Sequence, residues 1–336
     1  MTRTLSTLGL SLGALALAAL APSVAHGADP TLLRFRVEVR NPSTSPVTDA
    51  TVDVAVPIAA AGQRLARLSG SLPVERVAGD GGQVLARVTL PTVPPGGRVP
   101  LTVDAWLAAG DAAVAGVGLL TPTAGVPSDA PEILAVVPIA ARGDDDLSRV
   151  RGVYRFVRQR VSDDGYHARD RGALFALERG TGDCTEMAQL TVALARAAGI
   201  PARLAHGYRV DGASLIDPEG YHAFALVDVE GTPRIVDPQA GIGPDAAARD
   251  VAGYVITRLD GPGDAGFHRV RASDEALAAA LVPRSNPAPT RTAARRPTAS
   301  DTVRARQTRI CRTREDGTIA CRSVGPDELE DEGCCR

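Results

Sequence analysis

Between about residues 32 and 108 the chain alternates apolar and polar positions in short runs. Leu33-Arg34-Phe35-Arg36-Val37-Glu38-Val39 is the clearest, followed by Ala50 to Val56, Val84 to Leu90 and Val99 to Trp106. A period of two sends successive side chains to opposite faces, so each run predicts a half-buried strand. Turn formers separate them: Asn41-Pro42-Ser43, Asp80-Gly81-Gly82 and Pro94-Pro95-Gly96-Gly97. Several strands at this spacing predict a β-sandwich of immunoglobulin-like type over residues 31–110. Nothing in it carries catalytic chemistry. Asp80-Gly81-Gly82 is a hairpin tip, since a phosphate loop needs a following helix and a lysine. The sandwich is therefore read as a docking or spacing module.

A stretch rich in Ala, Gly and Pro runs from residue 111 to residue 131, and beyond it the period changes. Leu147, Val150, Val153, Tyr154, Phe156, Val157 and Val161 recur at three and four, which predicts an amphipathic helix. A second helix follows Gly182, with Leu190, Ala193, Leu194 and Ala197 on one face and a stop at Gly199, two residues before Pro201. Three strands are predicted next, Ala202 to Val210, His222 to Val229 and Arg234 to Asp237. Asp211-Gly212 and Glu230-Gly231 turn between them as antiparallel neighbours require. The fold class is α+β, with a catalytic domain over residues 132–275.

The second helix opens on Gly182-Asp183-Cys184-Thr185-Glu186. Asp183 with Glu186 three positions later has the form of a capping box, which places Cys184 in the first turn, where free backbone N–H groups and the helix dipole favour a thiolate. His222 opens the middle strand and Asp237 closes the last one, before Pro238. A thiol needs a base and a base needs an orienting acid, so Cys184, His222 and Asp237 are the candidate catalytic triad. Glu186 is read as cap and support rather than as an acid, and Gln189, one turn on, as solvent-facing. His206 and Tyr208 share one face of the preceding strand, where packing is expected over lining a cleft. His167 and His268 have no ligand-like spacing to each other or to a cysteine, so neither a metal site nor a cofactor site is read.

Composition narrows the classes further. The 336 residues suit about two domains plus tails, and with aromatics at 3 % the core must be built from Ala, Val and Leu. A net charge of −2 speaks against wholesale nucleic-acid binding. All 37 basic residues are arginine, so an enzyme that joined glutamine to lysine could not use this chain as its amine donor.

Arg3, the apolar run from about Leu8 to Leu20 and the small residues Ser23-Val24-Ala25-His26-Gly27-Ala28 have the layout of a secretory leader over residues 1–27, with cleavage after Ala25 or Gly27. The run is shorter than the ~20 residues that span a bilayer, so no transmembrane segment is read and the expected location is secreted or periplasmic. Four of the five cysteines, Cys311, Cys321, Cys334 and Cys335, lie in a tail over residues 311–336. In an oxidising compartment disulfides are their expected state, with Cys311 and Cys321 paired across a hairpin that turns at Asp316-Gly317. Cys334 with Cys335 would be strained, which leaves their pairing open.

Four ordered motifs resemble the bacterial transglutaminase-like superfamily: Gly182-Asp183-Cys184-Thr185-Glu186-Met187-Ala188, the helix end Arg196-Ala197-Ala198-Gly199-Ile200-Pro201-Ala202-Arg203, Gly220-Tyr221-His222-Ala223-Phe224, and Val236-Asp237-Pro238-Gln239-Ala240-Gly241. The resemblance covers about residues 147–245. It implies a papain-like core in which Cys184 is nucleophile, His222 general base and Asp237 orienting acid, and it implies an immunoglobulin-like domain in front. The chain departs from the family at Phe224, usually Trp, at Leu226, often Glu, and at Pro233 and Arg234, where the family often has Trp.

The chemistry expected is acyl transfer. Cys184 attacks a carboxamide or peptide carbonyl, His222 takes the thiol proton and returns it to the leaving amine, and the Cys184 backbone N–H stabilises the oxyanion. Hydrolysis of a peptide or protein substrate in the cell envelope is expected ahead of glutamine-dependent cross-linking, which needs a dry amine groove that no aromatic wall in the sequence supplies. Two other classes are a non-catalytic peptide-binding scaffold and a thiol-regulated precursor whose tail oxidises or covers Cys184. Residues 283–310 form an Arg- and Pro-rich linker. From Arg284 to Arg322 ten arginines stand against three acids, which suits an anionic envelope polymer as partner, and no aromatic platform suits nucleic acid.

Overall fold

The computed structural model describes residues 30–110, 119–261 and 269–283, and the backbone of 308–313 and 319–324. The expected leader, most of the linker, the Asp316-Gly317 turn, Cys334 and Cys335 lie outside the described residues. The chain forms two compact units, Met1–Arg284 and Ser285–Arg336.

The first six strands are β1 (Thr31–Arg40), β2 (Thr51–Val56), β3 (Gln63–Gly70), β4 (Val74–Ala78), β5 (Val84–Thr89) and β6 (Arg98–Ala109). Four helices follow, α1 (Pro131–Ala140), α2 (Asp146–Arg160), α3 (Gly172–Arg179) and α4 (Cys184–Ala197), with the short parallel pair β7 (Ser162–Asp163) and β8 (Thr181–Gly182) between them. Then come β9 (Ala202–Arg209), β10 (Ser214–Leu215), β11 (Tyr221–Val229), β12 (Thr232–Val236), the single turn α5 (Ala248–Val251), β13 (Tyr254–Leu259), β14 (Val270–Ala272) and β15 (Ala278–Leu281). The fold is α+β.

Two sheets make the N-terminal sandwich. One runs β10-β1-β6-β3 with β15 also on β1, and the other runs β14-β2-β5-β4. The alternation read in the sequence is the reason: Leu33, Phe35, Val37 and Val39 of β1 point inward onto Val52, Val54 and Val56 of β2, all at most 1 % exposed. Strands from the far end of the unit join both sheets. Val37 pairs with Leu281 in β15, and Val54 with Val270 in β14. Tyr208, Ile216, Val255 and Leu277 enter the same core.

The sheet that carries His222 has the order β12-β11-β9-β13 and is antiparallel throughout. On one face Ala223, Ala225 and Val227 pack against Leu190, Ala193 and Leu194 of α4, with Val150, Val153 and Val157 of α2 behind. On the other, Phe224, Leu226, Tyr254 and Ile256 meet Ile58, Ala60 and Ala61 from the connection between β2 and β3. Gly207 marks a close approach: a Cβ there would lie 1.7 Å from the Val255 carbonyl oxygen, so β13 reaches its register only over a glycine.

In the second unit β16 (Thr308–Thr313) and β17 (Ile319–Val324) form an antiparallel hairpin with Cys311 opposite Cys321, as the sequence predicts. No disulfide is seen among the described residues, and Cys184 is free.

Candidate active site

The N-terminus of α4 is built as the sequence predicts. Asp183 is the N-cap, its carboxylate accepting from the Thr185 N–H at 2.7 Å, while Glu186 accepts from the Asp183 N–H at 2.9 Å. This reciprocal box fixes the first turn, and Cys184 stands at its first helical position, where a backbone N–H has no intrahelical partner. The box is held from outside as well. The Arg171 guanidinium donates to Glu186 at 2.9 Å and to both oxygens of Asp164 at 3.0 Å, and the His167 N–H donates to Asp183 at 3.0 Å. Burial pushes the Glu186 carboxyl up, but the Arg171 and Asp183 donors outweigh it and hold it ionised below its ordinary range. Glu186 is thus a cap and support, as read from the sequence.

His222 and Asp237 come from the sheet. His222 is the second residue of β11, opposite Gly207 of β9, and Asp237 follows β12. His222 Nε2 lies 2.5 Å from Asp237 Oδ2. Asp237 is 1 % exposed and fully coordinated: its Oδ1 accepts from the Ala240 N–H at 3.0 Å, and its Oδ2 also accepts from the Tyr254 hydroxyl at 2.6 Å. Cys184 lies close enough to the His222 imidazole to raise its pKa, and the Nε2 bond to Asp237 leaves Nδ1 as the ring nitrogen open to a thiol. Phe224, buried, lies behind the imidazole with ring centroids 6.3 Å apart and meets Tyr254 edge-on at 4.8 Å. The structure therefore brings Cys184, His222 and Asp237 together in the order thiol, imidazole, carboxylate.

Electrostatics follow from this packing. Burial pushes the His222 imidazole down, but Asp237, hydrogen-bonded to it, and Cys184 beside it raise its pKa to about 9. Burial pushes Asp237 up, and the His222, Ala240 and Tyr254 donors overcome this and keep it ionised. Because the folded value of His222 is raised above its ordinary 6.5, the stability its proton lends is fully present below pH 6.5 and is lost as pH rises through about 9. Ring ¹⁵N shifts should accordingly show His222 still protonated at pH 7.5, with a midpoint near 9. A midpoint near 6.5 would mean that neither partner holds it.

One sequence expectation changes. Gln189 does not face solvent: it is 1 % exposed and donates to Asp170 at 2.7 Å, because α4 is enclosed on every side from Glu186 to Arg196. Tyr208 packs edge-on against Phe35 and Tyr221 in the sandwich core, the packing its strand position suggests. His206 stacks on Tyr221 at 6.1 Å, and burial beside Arg258 and His222 lowers its pKa to about 3, so it stays neutral. Tyr254 was not predicted as a site residue. Its strand is buried along all six positions and shows no alternation, so no periodic signal pointed to it.

A thiol on a capped helix, a histidine on a sheet and a buried carboxylate behind it form the arrangement of a papain-like thiol enzyme. Residues 135–234 match the model of the transglutaminase-like superfamily, so the chain carries a domain of that superfamily, one of cysteine-based enzymes. Cys184 and His222 fall inside the matched span and Asp237 just beyond it. Among solved structures, one described as a "putative cysteine protease" from Cytophaga hutchinsonii is 16% identical, covering 77% of this chain and 92% of that chain at a TM-score of 0.50. It shares the fold. The periplasmic domain of TgpA from Pseudomonas aeruginosa is 15% identical over 68% of this chain and 94% of that one, at a TM-score of 0.31. No curated protein matches the chain.

Proposed function

We propose that the protein is an exported thiol enzyme that cleaves peptide or amide bonds through a Cys184 thioester. The observation that carries this is the His222–Asp237 pair, 2.5 Å long with its carboxylate nearly sealed from water, with Cys184 at the capped start of α4 close enough to raise the His222 pKa. Asp237 orients the imidazole and favours its charged form, and His222 keeps the thiol proton and delivers it to the leaving amine. The tetrahedral oxyanion forms where the Cys184 N–H points out of the first turn of α4. Water then attacks the thioester. Hydrolysis is favoured over cross-linking because Cys184 is partly exposed, and a competing amine would have to exclude the solvent that reaches it. Export rests on the leader pattern of residues 1–27, and a peptide or protein of the cell envelope is the substrate class it implies.

The test is alkylation of the unreduced protein with iodoacetamide across pH 4 to 9, wild type against His222→Ala. Cys184 should react rapidly well below the free-thiol pKa of ~8.5, and the variant should lose that advantage. Profiling with peptides and amines would then separate hydrolysis from transfer. An ordinary thiol titration in both proteins would leave a peptide-binding scaffold as the better reading.

A further inference from the structure

The Asp237 carboxylate is held from behind by a residue of β13, and β13 is in turn held by the N-terminal sandwich. The link is one side chain. Gln63, the first residue of β3 and 3 % exposed, lays its amide along the backbone of Ile256: its Oε1 accepts from the Ile256 N–H at 3.0 Å and its Nε2 donates to the Ile256 carbonyl at 2.7 Å. The same Nε2 donates to the Ile58 carbonyl at 2.7 Å, and the Ile58 N–H donates to the Ile256 carbonyl at 3.0 Å. Gln63 and Ile58 together thus occupy the backbone groups that an edge strand would take from β13. Ile256 lies two residues from Tyr254, on the same face of the strand, and that face carries the Tyr254 hydroxyl to Asp237 Oδ2.

The turn that delivers Gln63 is strained. Ala60 and Gln63 close a two-residue turn with paired backbone hydrogen bonds, and its central residues Ala61 and Gly62 both have positive φ, 46° and 81°. Gly62 adopts this freely, whereas Ala61 bears a cost on the order of 1 kcal/mol, held in place by the burial of its methyl group against Tyr254 and Ile256. β13 itself breaks register immediately after Ile256, between Ile256 and Arg258. A sheet edge with a bulge at this point would leave the position of Tyr254 loosely defined, and the Gln63 amide grips the residue just before the break.

We propose that Gln63, carried by the N-terminal sandwich, is a positioning residue for the triad, acting through Ile256 and Tyr254 to fix Asp237 behind His222. The proposal rests on the thiol-enzyme reading above. It makes the sandwich part of the active site's support and not only a spacer.

The test uses the full chain with Gln63→Met, which keeps length and volume but removes both hydrogen-bonding groups, and Gln63→Glu, which keeps the Oε1 acceptor and regains a donor when protonated. Three readouts are compared with wild type: thermal melting, the His222 ring titration, and the rate of Cys184 alkylation at pH 6. The expected result for Gln63→Met is a folded protein whose His222 midpoint falls toward 6.5 and whose alkylation slows about tenfold to a hundredfold, the scale of a small misplacement at a catalytic group. Gln63→Glu should recover part of the alkylation rate as the pH is lowered through the titration of the new carboxyl group. A variant that melts earlier yet keeps the wild-type His222 midpoint and alkylation rate overturns the proposal and leaves Gln63 a structural residue. If Gln63→Met does not fold, Gln63→Glu carries the same comparison alone. Failure of the underlying reading is seen separately: wild-type Cys184 would then label no faster than His222→Ala, whatever Gln63 does.

Discussion

Replacing Asp237 by asparagine should lower turnover of any responsive peptide or amide on the order of 10⁴-fold, while far-ultraviolet circular dichroism stays unchanged. The size follows from the carboxylate's three donors. Oδ2 accepts from both His222 and Tyr254, and Oδ1 accepts from the Ala240 N–H. An asparagine amide can be placed two ways, and each sets an N–H against a donor. With Nδ2 at the Oδ2 position it faces the Tyr254 hydroxyl and forces His222 to accept at Nε2, which puts the imidazole proton on Nδ1, where the thiol proton should go. With the amide turned over, Nδ2 meets the Ala240 N–H instead. Either arrangement also leaves a buried donor unsatisfied, at about 1–3 kcal/mol of stability. Steady-state kinetics and a denaturant titration on the same preparation read both effects. Loss of less than tenfold in turnover would mean that Asp237 does not set the tautomer.

The largest stability effect is expected away from the triad, at Asp260. This carboxylate, 1 % exposed, accepts from Arg196 at 2.6 Å, from Thr123 at 2.7 Å and from the Leu204 N–H at 2.9 Å. Arg196, likewise buried, donates its remaining groups to the Ala202 and Thr121 carbonyls and to Thr123. The pair ties the end of α4, the start of β9, the end of β13 and the segment before α1 into one satisfied network. Asp260→Ala strands the Arg196 charge in the core and should cost about 3–5 kcal/mol, a fall in Tm of roughly 10 °C. Removing both charges, as in Arg196→Met with Asp260→Leu, should recover most of that loss, because desolvation offsets much of what a buried pair contributes. A single variant that melts within a degree or two of wild type would show that water reaches the site.

The sequence revealed what local periodicity and caps encode. Leu33 to Val39 alternates because one face of β1 is core and the other is not, and Asp183 with Glu186 announces the start of α4 within four residues. Elements without a two-faced pattern were harder to see. α1, Pro131 to Ala140, has almost no polar face and a proline inside it, so no helical period marks it, and β13 is buried along its whole length and shows no alternation. The partners of the triad residues could be proposed from residue type and order, but Tyr254 and Gln63 could not. Their roles depend on which strand lies beside which, a property of tertiary packing that no single segment carries. Gln189 failed for a related reason: its place on the helix was read correctly, but not the enclosure of the whole helix.

The return of β14 and β15 to the sandwich also has a kinetic side. Val37 cannot meet Leu281, nor Val54 meet Val270, until nearly the whole first unit has been synthesised. Pairings this distant along the chain close their loops slowly and only after more local structure has formed. In a chain that emerges N-terminus first, the helical segment and its hairpins can form early, while the grip of the sandwich on β13 is completed last. Competence of the thiol is thereby tied to the end of folding, so a partly folded chain would not yet hold Cys184, His222 and Asp237 in working alignment.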